Sequence, residues 1–208
     1  MVRRYDQRKR AERAETTRRR IIEAISALHA EKGIAATSMK HIAERAGVSV
    51  GTVYHHFPTY DDAIAACGAH MVDNYPPPDE SSFSQHEGAR ERVAALCSAM
   101  YAYYELNPAI EAVRADQYVS PVLRAFLERE QKDRARLASA ALCAMTDQSA
   151  LLTALLDIGV WRALTRAGFS TEAAAQSVTA IVSEGHGILN AAAMPKPSVK
   201  PTSRKASS

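Results

Sequence analysis

The sequence predicts an all-α protein of about nine helices, in which a three-helix N-terminal unit containing a tight helix-turn-helix precedes a larger helical bundle. Three observations predict this. Apolar residues recur at helical spacing in one segment after another, beginning with Ile21, Ile22, Ile25 and Leu28. No stretch alternates in the manner of a β-strand. Ser, Thr or Asp precedes the periodic runs and Gly or Pro follows them, which is the punctuation of helices.

Taken in order, the first helix starts near Glu15 and stops at Lys32-Gly33, a terminal cation followed by a glycine. Thr37 or Ser38 caps a short second helix that runs to Arg45, with Met39, Ile42 and Ala43 facing inward. Ala46-Gly47-Val48 is the turn, and Ser49 caps a third helix, Val50–His56, ended by Pro58. A fourth helix opens at Thr59-Tyr60-Asp61-Asp62. Residues 74–88, with Pro76-Pro77-Pro78 and several serines, read as a loop. Five more helices are expected over about 89–106, 109–119, 122–145, 148–167 and 171–193, the last capped by Ser170. The domains expected are a basic flexible arm (1–17), a helix-turn-helix unit (18–58), a helical body (59–194) and a disordered basic tail (195–208).

Composition narrows the function classes. The chain has 208 residues, 47% hydrophobic and 24% charged, enough apolar material for a sizeable core. No apolar run reaches the ~18–20 residues that span a bilayer, and the N-terminus is arginine-rich where a signal peptide would be apolar, so a cytoplasmic protein without membrane contact is expected. Cys67, Cys97 and Cys143 form no paired motif and read as small buried hydrophobes. The net charge of +3 hides an asymmetry, because residues 1–20 hold nine Lys/Arg against three acids. The tail from Pro195 holds four basic residues and no acid, so a net acidic body lies between two basic ends. That distribution suits a polyanionic partner.

Two helices joined by a three-residue glycine-containing turn form the unit that reads DNA. The second helix must pin one face to the domain and offer small or polar groups on the other. In Ser49–Phe57, Val53 and Phe57 are the i, i+4 pins, which leaves Val50, Gly51, Thr52, Tyr54 and His55 outward. Gly51 permits close backbone approach, and Val50 and the Thr52 methyl suit a thymine methyl. The Thr52 hydroxyl and the His55 imidazole suit base edges or phosphate, while Thr37, Lys40 and Tyr54 suit phosphate anchoring. His55-His56 is a poor metal pair, because adjacent helical side chains point about 100° apart. No metal, cofactor or catalytic constellation is expected, which argues against an enzyme.

The stretch TSMKHIAERAGVSVGTVYHHF, Thr37–Phe57, resembles the signature of the TetR family of bacterial regulators. The helix before it and the segment PTYDDAIAACGAHM after it match in register, over about residues 18–72. The resemblance implies a homodimer whose first three helices bind a palindromic operator. The fourth helix would join them to a body that senses a small molecule, and the last two helices, about 148–193, would form the dimer seam. Repression relieved by the ligand is the usual outcome in the family. Thr37, Lys40, Gly51, Thr52, Tyr54 and His55 carry over as DNA contacts, and Ser38, Ser49, Val50 and Thr59 complete the candidate interface. Many members carry a basic residue where Val50 stands and a lysine where Tyr60 stands. Their loss shifts the burden of attraction to the arginine-rich arm.

In the body, Cys97, Met100, Tyr101 and Tyr104 lie on or beside one helical stripe, with Arg114, Gln117, Tyr118, Phe126 and Trp161 following. This set reads either as core or as a mostly apolar ligand pocket with a few polar groups. An unpaired buried Arg114 would call for an acidic ligand or a carboxylate partner. The last helix is small or apolar around much of its circumference (Ala173, Ser177, Val178, Ala180, Ile181), as a helix in a dimer seam or in a buried pair within one monomer would be.

Overall fold

The computed structural model describes residues 2–107, 109–143 and 147–184. Among them all regular elements are helical: α1 (Val2–Lys32), α2 (Met39–Ala46), α3 (Val50–His56), α4 (Tyr60–Asn74), a 3-10 turn (Glu80–Ser82), α5 (Ala89–Leu106), α6 (Ala109–Ala115), α7 (Pro121–Leu142), α8 (Asp147–Leu155), α9 (Ile158–Arg166) and α10 (Thr171–Glu184).

The apolar face of α1, Ile21, Ile22, Ile25 and Leu28, meets Met39, Ile42 and Ala43 of α2, Val53 of α3 and Phe57 in one buried cluster. Ala63 and Cys67 of α4 enter the same cluster, so α4 shares the core of the N-terminal unit and the boundary drawn at residue 58 cuts through packed contacts. A smaller apolar junction of Ile34, Ile64 and Leu123 joins this unit to the body.

Residues 1–17, expected as a flexible arm, are instead continuous with α1 from Val2 onward. The stretch is rich in Arg, Glu and Ala, which favour helix, and Arg8 pairs with Glu12 one turn on at 3.0 Å. Gln7–Thr16 is nevertheless exposed along its whole length, so this part of α1 stands clear of the core.

The body packs α5 centrally, with Val93, Leu96, Cys97, Met100, Tyr101 and Tyr104 buried against α7, α8, α9 and α10. Residues 74–88 are more ordered than a plain loop. Asp79 caps the 3-10 turn by accepting from Ser81 N at 2.9 Å, and Phe83 is buried in the body core.

The largest departure from expectation lies at residues 148–167, predicted as one helix. The chain breaks there into α8 and α9, which raises the α-helix count among the described residues to ten. Asp157 caps α9 by accepting from Gly159 N at 2.8 Å. The carbonyls freed by the break are satisfied by tyrosines of α5: Tyr101 Oη donates to Leu155 O at 2.7 Å and Tyr104 Oη to Leu156 O at 2.9 Å. Two guanidinium groups then hold Asp157, Arg114 at 2.5 Å and Arg134 at 3.2 Å. Helix α6 ends at Ala115, earlier than predicted, in a turn over residues 116–119. Residues 185–193 of the expected last helix and the tail from 195 lie outside the described residues. Cys67 and Cys97 are buried as expected, but Cys143 is exposed, because it ends α7 in a left-handed conformation with φ 53°.

Removing one of the tyrosine hydroxyls tests the break. Tyr104→Phe leaves the Leu156 carbonyl buried without a partner and should cost about 1–3 kcal/mol in chemical denaturation. An unchanged midpoint would mean that the hydroxyl does not support the break.

Candidate nucleic-acid interface

The helix-turn-helix is fixed by local chemistry. Ser38 caps α2 by accepting from His41 N at 3.3 Å, and Ser49 caps α3 by accepting from Thr52 N at 3.0 Å. Gly47 takes a left-handed φ of 64° and returns its N–H to the end of α2, which a side chain at that position would strain. Arg20 of α1 braces the turn from behind, donating to Ala46 O at 2.7 Å. Arg18 stacks over Phe57 at 5.3 Å from the ring centre, so the base of the arginine-rich segment touches both the turn and the end of α3.

Val53 and Phe57 are fully buried pins, and the opposite face of α3 is open. Val50 is 38% exposed and Tyr54 50%, so Tyr54 is a surface residue rather than part of the core. Ser49, Gly51 and His55 are exposed beside them, as are Ser38 and Lys40 on α2 and Thr59 at the start of α4. Gly51 is not held by its own fold: a Cβ there would meet only Ser49 Oγ at 3.8 Å.

Three candidates are committed elsewhere. The Thr37 side chain is buried and its hydroxyl donates to Gly33 O at 2.8 Å, so Thr37 closes the loop between α1 and α2 and is withdrawn as a phosphate contact. The Thr52 hydroxyl lies 2.8 Å from Ser49 Oγ, which leaves mainly its methyl for a partner. Thr59 forms a capping box with Asp62, its hydroxyl donating to the carboxylate at 2.7 Å.

Sequence reasoning missed a polar seam beneath this surface. Tyr60 donates to Ile34 O at 2.7 Å, and His29 Nε2 lies 3.0 Å from the same hydroxyl. Since the tyrosine proton is already given away, His29 must donate from Nε2. Burial lowers the His29 pKa to about 4 and pushes Tyr60 up to about 12. Asp116, in the turn after α6, accepts from Ile34 N at 2.6 Å and Ala35 N at 3.0 Å, fastening the body to the loop before α2. No local pattern announces these pairs, whose members lie 26 to 82 positions apart.

The body candidates fare differently. Cys97, Met100, Tyr101, Tyr104 and Trp161 form closed core, and both tyrosine hydroxyls are used at the α8–α9 break. Tyr118 is 82% exposed. Gln117 and Phe126 are half-buried and lie outside the core clusters. Arg114 finds the carboxylate partner its burial demanded, in Asp157. It also lines a surface groove of about 780 Å³ with residues of α7, α8 and α9, the one predicted ligand residue to do so.

Residues 21–67 match the model of the bacterial regulatory proteins of the tetR family. The tetR match thus lies in the N-terminal unit that carries the helix-turn-helix. Over 89 residues it is 34% identical to the HTH-type transcriptional regulator HbdR of Aromatoleum sp. (strain CIB), a match covering 43% of this chain and 38% of that protein. The chain thus spans well under half the length of this curated relative. The fold is similar to that of a transcriptional regulator from Rhodococcus sp. Rha1, with a TM-score of 0.64 at 23% identity over 86% of this chain and 99% of that one. It is also similar to NalD, the secondary repressor of the MexAB-OprM multidrug efflux pump in Pseudomonas aeruginosa, with a TM-score of 0.61 at 22% identity over 84% and 97% of the two chains. The tetR match covers the exposed α3 face and the buried pins Val53 and Phe57 behind it, while the body resembles these structures in fold alone.

Two outcomes follow from this tetR-type unit. Gly51→Ala should raise stability by about 0.5–1 kcal/mol, since alanine is the better helix former and meets no obstacle, yet lower operator affinity at least about tenfold. Equal affinity would show that DNA does not approach the backbone there. Acid should also loosen the unit through His29. Its folded pKa lies below the unfolded value of 6.5, so stability is full above 6.5 and falls as pH drops towards 4, by about 3 kcal/mol. Melting curves across that window should show the loss in the parent and a shallower slope in His29→Gln.

Proposed function

We propose that the chain is a DNA-binding transcriptional regulator, acting in the cytoplasm as a ligand-responsive repressor that grips a palindromic operator as a homodimer. The observation that carries this reading is the outer face of α3. Val50, Gly51, Tyr54 and His55 are presented to solvent by a helix whose other side is locked into the core. Gly51 keeps that face low, which suits close approach to a groove. Two such helices about 34–36 Å apart would meet successive turns of one DNA face.

The pairing surface is assigned to the last helices. Ile181 of α10 is 51% exposed, and Ala173, Ser177 and Ala180 are half-buried on the same side. Small residues there allow close helix approach. A small molecule bound to the body would favour a different separation of the two α3 helices and so release DNA. Among the described residues no helix is long and apolar enough to cross a membrane.

The decisive assay is competition binding to the DNA beside the chain's own gene. A regulator should prefer one palindrome over bulk DNA by at least ~10³, whereas equal binding to all duplexes would reduce the chain to a nonspecific binder. Ile181→Glu should shift the chain to monomer in size-exclusion chromatography and weaken operator binding with it. An intact dimer would move the seam elsewhere. Deleting residues 2–17 should lower affinity and flatten the dependence on salt, by about 0.9 in log–log slope for each phosphate no longer neutralised. An unchanged slope would remove the basic segment from the interface.

A further inference from the structure

We infer that the N-terminal part of α1 binds the phosphate backbone of the duplex outside the half-site met by α3, as an intact helix that carries Arg10 and Arg13 to it and stays out of the minor groove. This deepens the regulator reading proposed above and rests on it.

Shape limits what this segment can do. Helix α1 runs unbroken from Val2 to Lys32, and Gln7–Thr16 is exposed along its whole length. An extended arm can thread a minor groove about 6 Å wide, whereas a helix with its side chains measures about 10–12 Å across and cannot. Apolar character is also missing, since between Gln7 and Thr16 every residue except Ala11 and Ala14 is polar or charged. A membrane surface or a partner helix would find no apolar stripe there to bury. What the segment offers is charge, with nine Lys/Arg against three acids over residues 1–20. A polyanion is the partner that such a rod fits.

The register of α1 aims part of that charge. Arg20 faces the helix-turn-helix, giving Nη2 to Ala46 O at 2.7 Å, and Arg18 stacks over Phe57 at the end of α3. Arg13 lies two helical turns before Arg20 on the same face, and Arg10 nearly one turn before Arg13. The side of α1 that meets the turn ahead of α3 therefore continues outward as Arg13 and Arg10. Glu12 and Glu15 project from other faces, and Glu12 accepts from Arg8 at 3.0 Å. Among the described residues no carboxylate pairs with Arg10 or Arg13. Residues 2–17 span about 24 Å of helix, the length of about seven base pairs, measured from an anchor at the end of α3. Guanidinium groups carried on such a rod meet phosphates outside the half-site, where they raise affinity and fix register without reading sequence.

Duplexes carrying the preferred palindrome with flanks of graded length test this by fluorescence anisotropy. Affinity of the full chain should climb at least about tenfold as the flanks lengthen to about seven base pairs, and then level off. The chain lacking residues 2–17 should respond less than about twofold to the same series. Exchanging A·T for G·C pairs in the flanks should change neither, because the minor groove is not read. Arg10→Gln combined with Arg13→Gln should reduce the flank effect and lower the salt slope by about 0.9 for each phosphate no longer neutralised. Ala14→Pro keeps every charge, breaks the helix outside the buried core, and should remove the flank effect without moving the melting midpoint. A flank effect that survives Ala14→Pro would make the segment a flexible polycation, and a preference for A·T flanks would put it in the minor groove. Either result overturns the inference, as does affinity indifferent to flank length. If the full chain ignores the flanks yet still prefers the palindrome, only this inference falls. If no palindrome is preferred over bulk DNA, the regulator reading falls and takes this inference with it.

Discussion

The carboxylate of Asp116 ties the two halves of the molecule together. It accepts the backbone N–H groups of Ile34 and Ala35, at 2.6 and 3.0 Å, in the loop that sets the position of α2. Charge-assisted bonds of this kind are short and directional, so the end of α6 fixes that loop rather than merely touching it. The apolar junction around it is small, three buried residues, and a second polar tie runs from Ser120 to Asp61 of α4 at 2.6 Å. Movement of the α6 terminus therefore bears on α2 and α4 together. Gly33 belongs to the same constraint: its φ of 83° brings the chain around, and a Cβ there would sit 3.0 Å from the Asp116 oxygen.

The same short helix carries Arg114, two residues before Asp116, and Arg114 grips Asp157 at the α8–α9 break. One end of α6 is thus held by the body's charged cluster and the following turn by the N-terminal unit. The break itself is a costly feature that the fold has had to satisfy. Interrupting a buried helix frees carbonyls that have no water to turn to, and Tyr101 and Tyr104 supply the missing donors. The polar groups that looked like ligand hooks inside the body are the means by which the interrupted helix is kept whole.

This explains which parts of the structure were legible in the sequence. The turn of the N-terminal unit was, because each signal there is local: Ser38 and Ser49 cap within three residues, Gly47 bends at its own position, and Val53 and Phe57 repeat at one helical turn. The α8–α9 break was not, since an apolar run with a single Asp reads as one helix until the tyrosines and arginines that reward the interruption are brought to it from other helices. Thr37 failed for the same reason. It stands where a phosphate contact was expected, and it is turned inward by the Gly33 carbonyl, whose availability is a property of the fold. The arm was misread in the opposite direction: lack of apolar periodicity signalled disorder, whereas helix propensity and Arg–Glu spacing alone continue α1 through it.

These corrections sharpen the electrostatics of the proposed DNA complex. The cations of α2 are partly neutralised at close range, Arg45 by Glu31 at 2.5 Å and Lys40 by Glu44 at 3.9 Å. The outer face of α3 adds valine, glycine, tyrosine and histidine, which distinguish bases by shape and hydrogen bonding but supply little long-range attraction. Positive charge is concentrated in α1, and that segment does not swing from a loose joint. Arg20 fixes its base to the turn and Arg18 fixes it to Phe57 at the end of α3, so the direction in which α1 leaves the domain is set by the same contacts that set the reading helix. A charged segment already helical and anchored loses less conformational freedom on binding than a flexible one, and it delivers its charge at a fixed place relative to α3. In the proposed complex, attraction and discrimination would therefore fall to different helices held in one geometry, the arrangement that lets a weakly charged α3 serve as the reading helix.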